Sequence, residues 1–298
     1  MEWKGIRGRV LERAPMRRYT SMKVGGPARW LIYPADMTDA VDLIGLLRKE
    51  GMPFRFLGRG TNVIVRDEGL NEVLVRMTGM RQVRITKTED GVMVEAGAGV
   101  PLKHLIEETA ARGLSGLEKL FGIPGTVGGA VRMNAGSFGV ALSDSLCSAT
   151  LCDAEGKVTK EERGEIPFGY RMSPFGRGDC ILSALFRLKH GDQAAMHKDM
   201  AYVWGERWRR HPMDLPSAGS VFKNAGGKPA WRSIEAAGLK GLRVGGAAVS
   251  EKHANFIVNA GGATARDVYS LIQKVKKEVY EKTGVTLEEE VELWGFDG

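Results

Sequence analysis

The apolar pattern along the chain switches between a two-residue and a 3.6-residue period. WLIYP (30–34) reads as a short strand, and DMTDAVDLIGLLRKEG (36–51) as a helix with Val41, Ile44 and Leu47 on one face and Gly51 as its stop. FRFL (54–57) and VIV (63–65) are strands flanking the turn GRGTN. This β-α-β-turn-β rhythm marks a first unit, residues 1–77. A second, 78–205, opens with VRITKTEDGVMVEAG, a hairpin turning at EDG. The helix PLKHLIEETAARG follows, with Pro101 in its first turn and Gly113 past its end. SATLCDAEG and CILSALFRL are further strand candidates, and KDMAYVWGERWRRH is a helix leading into a third unit, 206–298. There NFIVN is a strand and TARDVYSLIQKVKKEVYEKTG the longest helix. Thr264 and Asp267 form its capping box, and Val268, Leu271, Ile272, Val275 and Val279 its stripe. Segregated strands and helices predict an α+β fold.

Composition narrows the function without naming it. The 298 residues are 43% hydrophobic and 27% charged, with no apolar run long enough for a membrane span and a charged N-terminal stretch unlike a secretory signal. A cytoplasmic protein without a membrane partner is expected, and a monomer is the default. Cys147, Cys152 and Cys180 lack a CxxC pair and the five histidines fit no ligand pattern, so reduced thiols and no metal are expected. The net charge of +7 is dispersed and aromatics are only 7%, which argues against nucleic acid and suits a phosphorylated small molecule equally well.

The chemistry concentrates in glycine. In GLEKLFGIPGTVGGAVRMNAGSFG (116–139) seven of 24 residues are glycine, yet no P-loop lysine follows. The dinucleotide pattern GxGxxG fails too, since Gly97 and Gly99 are followed by Leu102 where the third glycine belongs. LGRGTN (57–62) sits between two strands, so Gly58 and Gly60 can aim consecutive N–H groups at an anion. GIPGTVGGAV (122–131) leaves its main chain bare for a flat or charged ligand. Taken locally, an ordinary tight turn is the favoured reading of each.

Seven blocks in order resolve the ambiguity: TSMKVGGPARWLIYP, LGRGTNVIVRDEGL, GLSGLEKLFGIPGTVGGAVRMNAGSFG, FGYRMSPF, PSAGSVFKN, AAVSEKHANFIVN and LEEEVELWG. Spread from residue 20 to residue 295, they closely resemble the UDP-N-acetylenolpyruvoylglucosamine reductases (UDP-N-acetylmuramate dehydrogenases), flavoenzymes of peptidoglycan precursor synthesis. The resemblance implies a three-domain α+β flavoenzyme with a vanillyl-alcohol-oxidase (PCMH-type) fold. Residues 1–77 and 78–205 would be FAD-binding subdomains and 206–298 the substrate-binding domain. It implies noncovalent FAD, NADPH as co-substrate and a UDP-sugar as substrate, whose enolpyruvyl group is reduced.

Carried over position by position, the resemblance implies that Gly58, Arg59, Gly60, Thr61 and Asn62 hold FAD. With them come Gly122, Ile123, Pro124, Gly125, Thr126, Gly128, Gly129, Ala130, Asn134 and Gly136. Arg171 matches the family's clamp for the substrate carboxylate, Ser220 its proton donor and Glu290 its late acid. Tyr170, Lys223 and Asn224 match substrate contacts. Read alone, Arg171 is a surface or bridging arginine, Ser220 a turn residue and the EEE run a solvated acidic face. The chain departs from the family pattern at Ala225, Glu289 and Glu292, and its short Ser173–Ser220 span resembles the subclass without a tyrosine-bearing loop. A sugar or alcohol oxidase of the same fold is the alternative. Such oxidases often tether flavin through His or Cys, and neither lies in the two glycine turns. A basic binding protein without cofactor, docking through KDMAYVWGERWRRH, is the third reading.

Overall fold

The computed structural model describes residues 3–89, 91–153, 156–176, 178–224 and 228–296. Asp90 of the EDG turn, Ala154, Glu155 and Ala225 therefore lie outside the described residues. The chain forms two compact units, each assembled from separate stretches. Met1–Glu12, Trp30–Arg59 and Glu72–Gly205 make the first; Arg13–Arg29, Gly60–Asn71 and Glu206–Gly298 make the second.

In the first unit, helix α1 spans Met37–Lys49 because Asp36 accepts the Asp39 N–H at its start and Gly51, at φ +60°, follows its end. Its buried face is Ala40, Leu43, Ile44 and Leu47, the i, i+3, i+4, i+7 set; Val41, expected on that face, is only half-buried. Strand Phe54–Leu57 runs parallel to the neighbouring strand, with Phe54 opposite Val73 and Leu57 opposite Arg76. The expected hairpin is present, with Val83–Thr88 antiparallel to Gly91–Gly97. It extends an antiparallel sheet through Cys180–His190, Leu146–Cys152 and Val158–Glu162. Helix α2, Leu102–Ala111, starts one residue later than its sequence suggests, with Pro101 at the N-cap. Leu43, Val75, Val94, Leu105 and Phe186, all fully buried, belong to one continuous core. Each such side chain contributes roughly 1.5–3 kcal/mol on burial.

The second unit has its own core. Strands Ser217–Ser220, Phe256–Asn259, Ala247–Val249 and Arg243–Val244 form an antiparallel sheet. Against it helix α6, Ala265–Thr283, buries the five-residue stripe read from the sequence. Thr264 and Asp267 cap it reciprocally, Asp67 accepts from the Ala265 and Arg266 N–H groups at 2.9 Å each, and Gly284 ends it at φ +70°. Strand Val63–Val65 pairs in parallel with Glu292–Trp294 near the C-terminus. Among the described residues no helix is long and apolar enough to cross a membrane.

One titrating cluster lies in this unit. His211 stacks on Phe256 with centroids 4.9 Å apart and meets His253 edge-on at 5.2 Å. Burial, and then the charges of His253, Arg207 and Arg210, push its pKa down from 6.5 to about 4. Its folded form stays neutral where the unfolded chain takes a proton, so stability is complete above pH 6.5 and falls as pH drops towards about 4. Urea midpoints of His211→Phe are expected to fall less steeply over that interval than wild type. An unchanged slope would place the dependence elsewhere.

Candidate active site

The two glycine turns abut. A Cβ on Gly58 would lie 2.7 Å from Thr126 Oγ1, so glycine at 58 is required by closeness. The second turn is not loop throughout: Val127–Arg132 forms a short helix, α3, capped by Thr126, whose hydroxyl accepts from the Gly129 N–H at 3.4 Å. The helix start is stitched to the preceding segment. Val127 N–H donates to Val100 O and Gly128 N–H to Ala98 O, both at 2.9 Å, and a Cβ on Gly128 would meet the Ala98 methyl at 2.8 Å. These two N–H groups are thus spent within the protein. By contrast, the N–H groups of Gly58, Arg59, Gly60, Gly125 and Thr126 have no acceptor among the described residues. Gly60 is buried as well, and buried N–H groups are almost always paired.

Gly129 stands apart from its neighbours. Gly122 and Gly125 have positive φ (+80° and +129°), and Gly128 is blocked by Ala98, but a Cβ on Gly129 would make only an ordinary 3.6 Å contact with Thr126 Oγ1. Packing within the protein leaves room for alanine there. Arg76 was missed by the sequence reading, because one arginine at a strand end carries no motif. Its Nε donates to Gly58 O at 3.3 Å and its Nη1 to Tyr33 Oη at 2.8 Å, which brings a fixed guanidinium to the first turn.

Arg171 is presented under strain in the same unit. Gly169 and Met172 exchange backbone hydrogen bonds at 3.0 and 3.3 Å, closing a four-residue turn with Arg171 third at φ +54°. Glycine is the usual occupant of such a position. Arg171 Nη2 donates to Gly136 O at 2.8 Å, and a Cβ on Gly136 would come within 3.0 Å of Nη1. Asn134 is buried, also at positive φ (+39°); its Nδ2 donates to Gly169 O at 3.0 Å and its Oδ1 accepts from Ser143 N–H at 3.2 Å. Its amide therefore supports the Arg171 turn. Tyr170 is exposed, with the Arg171 guanidinium 5.2 Å from its ring centroid.

Gly60, Thr61, Asn62, Ser220, Lys223, Asn224 and Glu290 lie in the second unit. Gly60 takes φ +65°, and a Cβ there would clash with Tyr19 O at 2.2 Å. The Val221 carbonyl accepts from Glu290 N–H at 2.7 Å and Val291 N–H at 3.3 Å, placing Ser220 and Glu290 on neighbouring extended segments. Asn62 Nδ2 donates to Glu290 O at 3.0 Å and Asn62 O accepts from Glu292 N–H at 2.9 Å, so the glycine turn and the late acid's segment meet. Lys223 Nζ pairs with Glu288, and Lys276 Nζ with Glu289 at 2.8 Å. Glu288 and Glu289 therefore pair with lysines distant in the chain, which the run EEE alone does not show. Asn224 Oδ1 accepts from Ala230 N–H at 3.1 Å, at the start of helix Ala230–Ala236. The Ser220 hydroxyl has no hydrogen bond among the described residues.

Comparison with known proteins assigns the glycine turns and the Ser220–Glu290 residues to matched domains, while Tyr170 and Arg171 fall between the two matches. An FAD binding domain matches residues 28–161, spanning both glycine turns, and a UDP-N-acetylenolpyruvoylglucosamine reductase C-terminal domain matches 211–294, spanning Ser220 to Glu290. The chain is 42% identical to the UDP-N-acetylenolpyruvoylglucosamine reductase of Syntrophus aciditrophicus over 98% of its length and 94% of the relative's. It is 41% identical to that of Geobacter metallireducens over 97% of its length and 95% of the relative's. The chain belongs to the UDP-N-acetylenolpyruvoylglucosamine reductase family. The crystal structure of the Thermus caldophilus reductase superposes with a TM-score of 0.80 at 37% identity, covering 97% of this chain and 99% of the other. The α+β architecture of vanillyl-alcohol-oxidase type and the assignment as an FAD-dependent oxidoreductase follow.

The residues present fit FAD. Unpaired N–H groups at two touching turns suit a diphosphate, a neighbouring guanidinium adds positive charge, and Gly129 offers main chain that a methyl group would cover. Gly129→Ala is expected to leave the cofactor-free protein equally stable, or more stable by about 0.5–1 kcal/mol through helix propensity. FAD affinity, read by flavin fluorescence titration, should fall. Unchanged affinity would remove Gly129 from the cofactor surface.

Proposed function

We propose that this chain reduces the enolpyruvyl group of UDP-N-acetylglucosamine enolpyruvate to UDP-N-acetylmuramate, with NADPH as reductant, in the cytoplasm. Bound FAD would supply the hydride chemistry that couples oxidation of NADPH to reduction of the substrate's double bond. Noncovalent binding is supported by the absence of His and Cys from both glycine turns. Gly58, Arg59 and Gly60 of the first turn and Gly125 and Thr126 of the second would hold the cofactor through main-chain N–H groups, with Thr61, Asn62 and the rest of the Gly122–Gly136 stretch shaping the surface around it. In this division of labour residues 1–77 and 78–205 carry the cofactor and 206–298 the substrate.

As hydride adds, negative charge spreads from the adjacent carbon into the substrate carboxylate. Arg171 is suited to meet it: a guanidinium stays charged at any working pH and can grip a carboxylate through two parallel hydrogen bonds. Its positive φ is the observation that carries the reading, because a non-glycine residue held in that conformation points to selection of the side chain over local backbone ease. Ser220 gives its hydroxyl proton to the adjacent carbon, a step that requires water to be excluded, since a serine hydroxyl is a weak acid. Glu290 stabilises the developing enol. Lys223 and Asn224 contact the nucleotide-sugar end, and Tyr170 lines the approach.

The experiment is an absorbance spectrum of the purified protein followed by NADPH oxidation with and without the enolpyruvyl sugar nucleotide. A flavin spectrum with substrate-dependent oxidation is expected; a colourless protein releasing no FAD would overturn the reading. Ser220→Ala should leave flavin bleaching by NADPH intact and slow substrate reduction, and failure of both steps together would argue for a folding role. Arg171→Gly should relax its turn and raise the melting temperature, while lowering kcat on the order of a hundred- to a thousandfold. A variant both less stable and fully active would refute the clamp.

A further inference from the structure

The segment carrying Ser220 is irregular at the point where its hydroxyl must be aimed. Strand Ser217–Ser220 pairs with Phe256–Asn259 with Ser217 opposite Val258 and Ser220 opposite Phe256, so it holds one residue more than its partner over the same span. The extra residue is taken up at Ala218–Gly219, where Gly219 has φ +80° and nothing within 4 Å of the position a Cβ would occupy. Conformation alone therefore explains that glycine. Such a bulge re-aims the side chains beside it and interrupts the ladder that would otherwise fix them.

Asn255 supplies the missing fixation. Its carbonyl accepts from Val221 N–H at 2.9 Å, its Oδ1 accepts from Phe222 N–H at 2.9 Å, and its Nδ2 donates to Phe222 O at 2.8 Å. The side-chain amide thus offers Phe222 one acceptor and one donor, as a neighbouring peptide group would. Asn255 is 4% exposed and Phe222 2%, so neither partner has water as a substitute. On its other edge the same Val221 peptide accepts from Glu290 and Val291.

We propose that Asn255 is a positioning residue that sets the Ser220 hydroxyl for proton delivery by clamping the two residues that follow it. The proposal rests on the assignment of Ser220 as proton donor. Asn255→Asp keeps the shape and the Phe222 N–H acceptor but turns a second oxygen towards the Phe222 carbonyl. The FAD-loaded protein with Asn255→Asp, Ser220→Ala, or both is compared in single turnovers for flavin bleaching by NADPH and for reduction of the enolpyruvyl substrate. Asn255→Asp is expected to slow substrate reduction roughly ten- to a hundredfold, the scale of a displacement near 1 Å, with bleaching and FAD content unchanged. In the Ser220→Ala background it should cost nothing further, because no hydroxyl remains to be positioned. An equal additional loss there would reduce Asn255 to a structural role and overturn the proposal. If Ser220→Ala is slow but Asn255→Asp reacts at the wild-type rate, the proposal fails alone; if Ser220→Ala is unimpaired, the proton-donor assignment fails and takes the proposal with it. Should Asn255→Asp not fold with FAD, Asn255→Ser, which loses the donor to Phe222 O, is put through the same cycle under the same criteria.

Discussion

The closeness of Gly58 to Thr126 is the constraint on which the first unit's site depends. No side chain fits at 58 without displacing the hydroxyl that caps α3. From the far end of α3 the coupling continues. Arg132 O accepts from Ser173 Oγ at 2.7 Å, Arg132 Nη1 donates to Gly176 O at 2.8 Å, and Asn134 holds Gly169. These three bonds fasten the loop on which Arg171 turns. One short helix therefore ties the turns that carry unpaired N–H groups to the turn that carries the guanidinium, and a disturbance at either end has a covalent and hydrogen-bonded route to the other.

The second unit uses the same device with different parts. Its functional candidates are placed by backbone, through Glu290 N–H to Val221 O and Glu292 N–H to Asn62 O, and the neighbouring acids are neutralised by lysines. Main-chain donors have no rotamers to lose, so an anion meeting them does not have to order a long side chain. This accounts for glycine turns without a P-loop lysine in a chain with 43 Lys and Arg residues.

Local chemistry was legible in the sequence wherever a rule acts over a few residues. The capping box at Thr264, the Gly51 stop, the α6 stripe and the hairpin all depend on spacing alone. Three features depended on partners distant in the chain and were not legible. Val63–Val65 finds its strand partner at Glu292–Trp294, and Glu288 and Glu289 find their ion-pair partners in Lys223 and Lys276. Helix α3 sits in a glycine-rich stretch whose propensity opposes helix, and it forms because Val100 and Ala98 accept its first N–H groups and Thr126 caps it. Of the site, the residue types and the two turns were readable; the strain at Arg171 and the commitment of the Asn134 amide were not.

The pairing of Lys223 with Glu288 bears on how a charged substrate is accommodated. The two side chains are 35% and 73% exposed, so the pair is largely solvated and contributes about 0–1 kcal/mol. An incoming phosphate carries more charge than one carboxylate and can take the ammonium at little cost. Glu289 is 21% exposed and bound through both oxygens to Lys276, at 2.8 and 2.9 Å, so exchanging its partner exposes a less solvated charge. Of the two lysines, the one whose partner is easily surrendered lies three residues from Ser220, and the one held firmly belongs to the packed helix α6. A largely solvated ion pair and a more enclosed one thus sit side by side within a run of three identical residues.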